Sequence, residues 1–336
     1  MTNNILISDP TLRDGSHAIS HQLTVDHIAM YAKVADAAGV PIIEVGHGNG
    51  LGASSMQVGI SLIDDQKMLE TARKNITKGK LGIHIIPGFA TIKRDLSLAL
   101  NIGVDVFRVA SHCTEADITQ RHLGYVREKG KEAYGVLMMS HMATANTLLE
   151  EAQKMELYGA EGIILMDSAG AYLPSDVEEK VSILVNGLNV PVGFHAHNNL
   201  GLAIANSITA ITAGAKILDG TARGFGAGAG NAQLEVLVAV LEKLGYVTGI
   251  DLYKILDAAD LAEAHILQVV PTIKSDSVIS GLSGVFSGFS KHVNRISKEY
   301  KVDPRDVYVE LGKRRVVGGQ EDLIIEVVMN LVNRKK

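Results

Sequence analysis

Eight short apolar runs, each followed by a polar or glycine-containing turn and then by a longer stretch of helical spacing, set the tightest limit on what this chain can fold into. The runs cover residues 5–8, 42–46, 81–86, 104–110, 134–140, 162–166, 191–196 and 216–218. Between them, segments such as 24–38 and 144–158 repeat apolar residues at intervals of three and four, and Gly39 and Gly159 stand as C-terminal stops. Strand and helix alternating eight times predict an α/β protein, a (β/α)8 TIM barrel. A doubly wound sheet also alternates, but it seldom needs eight units, and no GxGxxG opens the first helix here. The count closes near residue 220, and a helix over 232–244 completes the last unit. From Asp251 onward the text reads as helices broken by Pro271 and by the Gly/Ser-rich stretch 280–290, with a basic patch at 313–315. The expected division is a catalytic barrel over 1–265 and a helical C-terminal region over 266–336.

Length agrees, because a barrel of about 250 residues leaves a small appendage from a chain of 336. With 46% hydrophobic and 21% charged residues the chain has the balance of a folded protein. A formal net charge of −5 gives no basic field for nucleic acid or anionic lipid. No run of about 18 apolar residues suggests a membrane span, and the start MTNNILISDPTLRDG lacks the basic and apolar segments of a secretory leader. The single cysteine, Cys113, excludes an intrachain disulfide and a cysteine-rich zinc module, and it suits a reducing compartment such as the cytoplasm.

Ionisable and polar residues gather at the expected C-terminal ends of the strands, where barrel enzymes build their sites. Asp9, Arg13, Asp14 and His17 follow the first run, Glu44 and His47 the second, Arg108 and His112 the fourth, and Ser140 and His141 the fifth. Asp167 and Ser168 end the sixth, and His195, His197, Asn198 and Asn199 the seventh. This ring makes an enzyme the leading class. Residues two apart on a strand share a face, so His195 and His197 can reach one divalent ion. Asp14, on a loop beside strands seven and eight of a closed barrel, can supply a third, anionic ligand. Two imidazoles and one carboxylate with open positions suit a catalytic Mn, Fe, Co or Zn. On spacing alone, a pair of satisfied histidines is an equal reading. The glycine-rich segment 224–230 is either an anion-binding turn or a tight turn that lets the last helix pack. Cys113 lacks a visible activating partner and reads as a buried or loop thiol, and Met138 and Met139 read as packing.

The segment Asp9-Pro10-Thr11-Leu12-Arg13-Asp14-Gly15-Ser16-His17-Ala18 resembles the signature of the DRE-TIM metallolyases. The whole chain looks specifically like the 4-hydroxy-2-oxovalerate aldolases of that superfamily. Glu44 to Gly48, Ser111 to Asp117, Leu137 to Met142, His195 to Leu200, Gly226 to Ala232 and Val317 to Asp322 carry the likeness along almost its full length. The resemblance implies a metal, usually Mn2+ with Co2+, Mg2+ or Zn2+ as alternatives, held by Asp14, His195 and His197. It implies Arg13 as the partner of a pyruvate enolate, His17 as the base that takes the C4 hydroxyl proton, and Ser168 as a holder of the pyruvate carboxylate. It also implies a keto acid and an aldehyde as small-molecule partners, an oligomer, and an acylating acetaldehyde dehydrogenase docked on the C-terminal region.

One departure stands out: where the family usually has a tyrosine whose hydroxyl points into the site, this chain has Phe286. The ring is kept and the donor lost, which bears on aldehyde orientation and C4 stereochemistry. His265 to Gln268, Val270 and Pro271 also replace more charged text. Claisen-type synthases that condense acetyl-CoA with keto acids share the signature loop. The hydroxymethylglutaryl-CoA lyases do too, but they use a cysteine in a mobile glycine-rich loop that is absent here. A binding subunit without turnover is the remaining alternative, and the retention of Arg13, Asp14, His17, His195 and His197 speaks against it.

Overall fold

The computed structural model describes residues 3–334. Eight parallel strands, β1 Leu6–Leu12, β2 Ile42–Val45, β3 Lys80–Ile85, β4 Val106–His112, β5 Glu132–Met138, β6 Ile163–Asp167, β7 Val192–Ala196 and β8 Ile217–Asp219, close into a barrel in chain order. The helices of the barrel layer are α1 Val25–Ala38, α2 Asp65–Asn75, α3 Ser97–Ile102, α4 Gln120–Glu128, α5 Ala145–Leu157, α6 Pro174–Gly187, α7 Ala203–Thr212 and α8 Leu234–Lys243. A further helix, α9 Leu252–His265, packs beside α1 and α8. Helix ends follow local chemistry. Thr24 caps α1 by accepting His27 N at 3.1 Å, and Gly39 at φ 88° closes it in the left-handed turn that a side chain would strain.

Strand alternation sorts the barrel interior from the helix side. One phase turns inward, and its apolar members Ile42, Val106, Tyr134, Val136, Ile164 and Ile217 fill the lower barrel as a separate buried cluster. The same phase carries Ser8, Glu44, Arg108, His195 and Asp219, all buried, above that apolar floor. The expected run 5–8 is thus the start of a longer strand, because pairing with β2 continues through a bulge to Leu12. Asp9 lies inside β1 and does not follow it. It faces the helices, accepting Tyr31 Oη at 2.7 Å and bonding Thr11. Asp9 is therefore removed from the ring at the strand ends.

The C-terminal helices, α10 Ser275–Leu282, α11 Ser290–Tyr300, α12 Pro304–Lys313 and α13 Asp322–Arg334, build a second core from Val285, Phe289, Val293, Tyr308, Leu311 and Ile324. The stretch 280–290 breaks less than its composition suggests, since α10 runs into it to Leu282 and a single 3-10 turn, Ser287–Phe289, leads into α11. The region sits over the barrel mouth and is tied down by polar contacts. Ser287 N donates to Ser168 O at 2.9 Å, Lys291 Nζ to Ala18 O at 2.9 Å and Arg315 to Met142 O at 2.7 Å.

Candidate active site

Asp14 opens the 3-10 turn Asp14–Ile19 directly after β1, and His195 and His197 stand at the end of β7. All three are buried, and one ligand atom from each lies within 4.8 Å of the others. Asp14 Oδ2 is 3.1 Å from His195 Nε2 and 3.8 Å from His197 Nε2. His195 Nδ1 meets Asp219 Oδ2 at 2.7 Å, which fixes the ring and leaves the buried Nε2 turned to Asp14. An imidazole anchored by an outer carboxylate, with its other nitrogen turned to a second candidate ligand, is the usual disposition of a metal-ligating histidine. Burial raises the Asp14 pKa, but Arg13 and the two imidazoles outweigh it and hold the carboxyl well below its ordinary range. Burial pushes His197 down to about 4, so its ring is neutral and free to ligate. The cluster is a candidate metal site, and its one-carboxylate, two-imidazole set fits a divalent transition ion.

Arg13 precedes Asp14 and is 3% exposed. Its Nε donates to Glu44 Oε2 at 3.0 Å and its Nη1 to Gly48 O at 3.2 Å, while Nη2 is buried and has no partner among the described residues. A held guanidinium with one idle donor is prepared for an anion. His17 lies one turn further on. Burial, reinforced by His47, Arg13 and His197 and opposed by Asp14, drives its pKa down to about 3, which leaves a neutral base. His21 packs edge-on to it at 5.0 Å between ring centroids and stacks on His47 at 3.6 Å. Both stacked rings are tied to backbone, His47 through Gly59 O and Asn49 N.

Ser168 follows β6 in the inward phase and is fully buried; its Oγ accepts Met139 N at 3.0 Å and keeps its own proton to give. Phe286 lines a cavity of about 370 Å³ with His17, Asn49, Ala227 and Lys291, between the barrel mouth and the C-terminal helices. Within the glycine-rich loop, Asn199 Oδ1 accepts Ala229 N at 2.9 Å, and a Cβ on Gly230 would stand 2.1 Å from Gly224 O. Packing demands those glycines, in keeping with the tight-turn reading. Cys113 is buried, and burial pushes its thiol up to about 12, so it is inert.

One more residue of the expected ring, besides Asp9, stands elsewhere. Arg108 is the third residue of β4 and lies inside the barrel beneath the mouth, fully buried. Asn198 does follow β7, and its Oδ1 accepts Ala203 N at 3.2 Å at the start of α7. Asp219, which holds His195, drew no attention in the sequence. The signal was there: it ends β8 two residues after Ile217, in the inward phase.

Residues 4–262 match the HMGL-like family and residues 271–333 the DmpG-like communication domain. A 4-hydroxy-2-oxovalerate aldolase of Pectobacterium atrosepticum is 62% identical over all of this chain and 98% of its own. Another from Spirochaeta aurantia is 64% identical, with 98% of this chain and 97% of the relative covered. Among solved structures, the carboxyl transferase domain of Rhizobium etli pyruvate carboxylase superposes at a TM-score of 0.81 with 16% identity, covering 99% of this chain and 61% of that one. That likeness speaks for the fold alone. Identity above 60% across nearly the whole of both chains carries more, and on it the chain belongs to the HMGL-like family and, within it, to the 4-hydroxy-2-oxovalerate aldolases.

Proposed function

We propose that the chain cleaves 4-hydroxy-2-oxovalerate or a close 4-hydroxy-2-keto acid to pyruvate and an aldehyde such as acetaldehyde, or joins them in reverse. The observation that carries this is the buried Asp14, His195 and His197 cluster with the idle Nη2 of Arg13 in the residue beside it. Those three residues would hold a divalent ion, manganese first, with Co2+, Mg2+ or Zn2+ as alternatives, and when bound it would supply Lewis-acid polarisation of the 2-oxo group. His17, neutral, takes the proton of the C4 hydroxyl as the C3–C4 bond breaks and the C4–O bond becomes the aldehyde carbonyl. The electron pair moves onto the pyruvyl oxygen as an enolate, which Arg13 Nη2 meets as a preorganised donor. Protonation of the enolate at C3 balances the proton taken from the C4 hydroxyl, so no oxidant or reductant enters. Ser168 Oγ–H holds the pyruvate carboxylate. Phe286 presents an apolar wall to the aldehyde end.

The catalytic part is proposed to span 1–265, with 266–336 as the docking region for an acylating acetaldehyde dehydrogenase; the match to a communication domain supports this. An oligomer in the cytoplasm is the proposed setting; no helix among the described residues is long and apolar enough to cross a membrane. The test is pyruvate release from racemic 4-hydroxy-2-oxovalerate by protein stripped of metal and reloaded with Mn2+, together with the metal content of Asp14→Ala, His195→Ala and His197→Ala. Metal-dependent pyruvate release, with metal lost from the variants, is the expected result. Full occupancy in all three variants, or consumption of acetyl-CoA in place of pyruvate release, refutes it.

A further inference from the structure

Arg108 has no part in the chemistry above, yet it is one of the largest fully buried side chains in the molecule. It reaches across the barrel interior from β4. Nη1 bonds Glu44 Oε1 and lies 3.3 Å from Ser8 Oγ, and Nη2 donates to Asp219 Oδ2 at 2.7 Å. The partners of those carboxylates are the two halves of the site. Glu44 Oε2 accepts Arg13 Nε at 3.0 Å, and Asp219 Oδ2 meets His195 Nδ1 at 2.7 Å. Arg13 Nη1 and His195 Nε2 in turn stand 3.4 Å and 3.1 Å from Asp14 Oδ2. The groups therefore close a ring: Asp14, Arg13, Glu44, Arg108, Asp219, His195 and back to Asp14.

Two carboxylates held by the separate nitrogens of one planar, always charged fork keep a fixed span and angle, which the point charge of an ammonium does not impose. We propose that Arg108 is a positioning residue that sets the enolate-facing Arg13 and the ligand His195 in register with each other, through Glu44 on one side and Asp219 on the other. The proposal rests on the roles given above to Arg13 and His195. A residue that served folding alone could be spanned by any neutral packing of equal volume; one that sets register cannot.

Full-length Arg108→Lys, Glu44→Gln and Asp219→Asn are compared with the natural protein by thermal unfolding, by calorimetric titration with Mn2+ and by kcat and KM for the keto acid. Outer partners of metal ligands are worth about 10- to 100-fold in affinity or activity. Arg108→Lys should therefore lose about 10-fold or more in both Mn2+ affinity and kcat, with KM changed less than about threefold. Glu44→Gln should lose kcat while keeping Mn2+ affinity, and Asp219→Asn should lose Mn2+ affinity. Should Arg108→Lys not fold, the triple variant Glu44→Gln/Arg108→Met/Asp219→Asn strands no buried charge and should show both losses. A folded Arg108→Lys or triple variant with natural Mn2+ affinity and kcat overturns the proposal. So do losses that follow Tm alone and fall equally on all three single variants, or natural Mn2+ affinity and kcat in the two carboxylate variants. Absence of pyruvate release by the natural protein would instead sink the aldolase reading, and the Mn2+ affinities would still judge the ring.

Discussion

At Arg13, charge alone is not what the site provides. Nε and Nη1 are committed to Glu44 and Gly48, and only the third nitrogen is left without a partner among the described residues. A lysine carries its three donors on one nitrogen and cannot spread them over the planar span of Nε, Nη1 and Nη2, so Arg13→Lys should lower kcat by about 100-fold or more. Steady-state kinetics checks this, and a raised KM with normal kcat would make Arg13 a mere binder. In the proposed mechanism His17 sets the pH response. It works neutral, and burial has depressed its pKa, with His47, Arg13 and His197 acting in the same direction and Asp14 against. Its neutral form thus survives acidification past the ordinary imidazole value, and the acid limb of kcat/KM that belongs to His17 should lie well below about pH 6.5. A limb at or above that value which vanishes in His17→Ala would contradict this. Phe286 lacks the hydroxyl usual in the resembled family, and a hydrogen bond contributes about 0.5 to 1.5 kcal/mol with a direction no apolar contact replaces. The natural protein should therefore cleave both C4 enantiomers with comparable kcat/KM, and Phe286→Tyr should sharpen the preference. Strong selectivity unmoved by the substitution would remove position 286 from stereochemical control.

Among the elements, the turn into β3 shows how one side chain locks two units of the barrel. Asp36, near the end of α1, accepts Thr77 N at 3.0 Å, Thr77 Oγ1 at 2.8 Å, Lys78 N at 2.9 Å and Gly79 N at 2.7 Å. Burial raises its pKa, but the Gly79, Thr77 and Lys78 amides outweigh that and keep the carboxyl below its ordinary value. Asp36→Ala should cost about 3 kcal/mol at neutral pH by stranding those donors. Because the folded pKa is the lower one, this contribution is present above the unfolded aspartate pKa of about 4 and fades as pH falls through the folded value. Urea unfolding of both proteins across that range measures it, and equal stability at pH 7 would refute it. The strands were legible because each is an apolar run between turn residues, and all eight lie within a few positions of their expected places. Their charged interior was not. Glu44 and Arg108 are 64 residues apart and Arg108 and Asp219 are 111 apart, so nothing local pairs them. Only the closed barrel does. Asp14, His195 and His197 were easier to suspect, because HxH at a strand end already places two imidazoles on one face.

Over the whole molecule, polar side chains crowd the upper barrel and apolar ones its base. Ile42, Val106, Tyr134 and Ile217 close the base, while the C-terminal helices sit over the mouth and leave the cavity beside His17 and Phe286. A vessel with one opening imposes a sequence on what leaves it. On the proposed reading, pyruvate at Arg13 and Ser168, by the ends of β1 and β6, lies behind the aldehyde, which faces Phe286 in the cavity. On that reading the aldehyde should depart first, leaving the protein still carrying pyruvate to be emptied. Pyruvate should then inhibit competitively against the keto acid and the aldehyde non-competitively, and the opposite pattern in product-inhibition kinetics would show a second exit. The apolar base would thereby set the order of product release without touching either product.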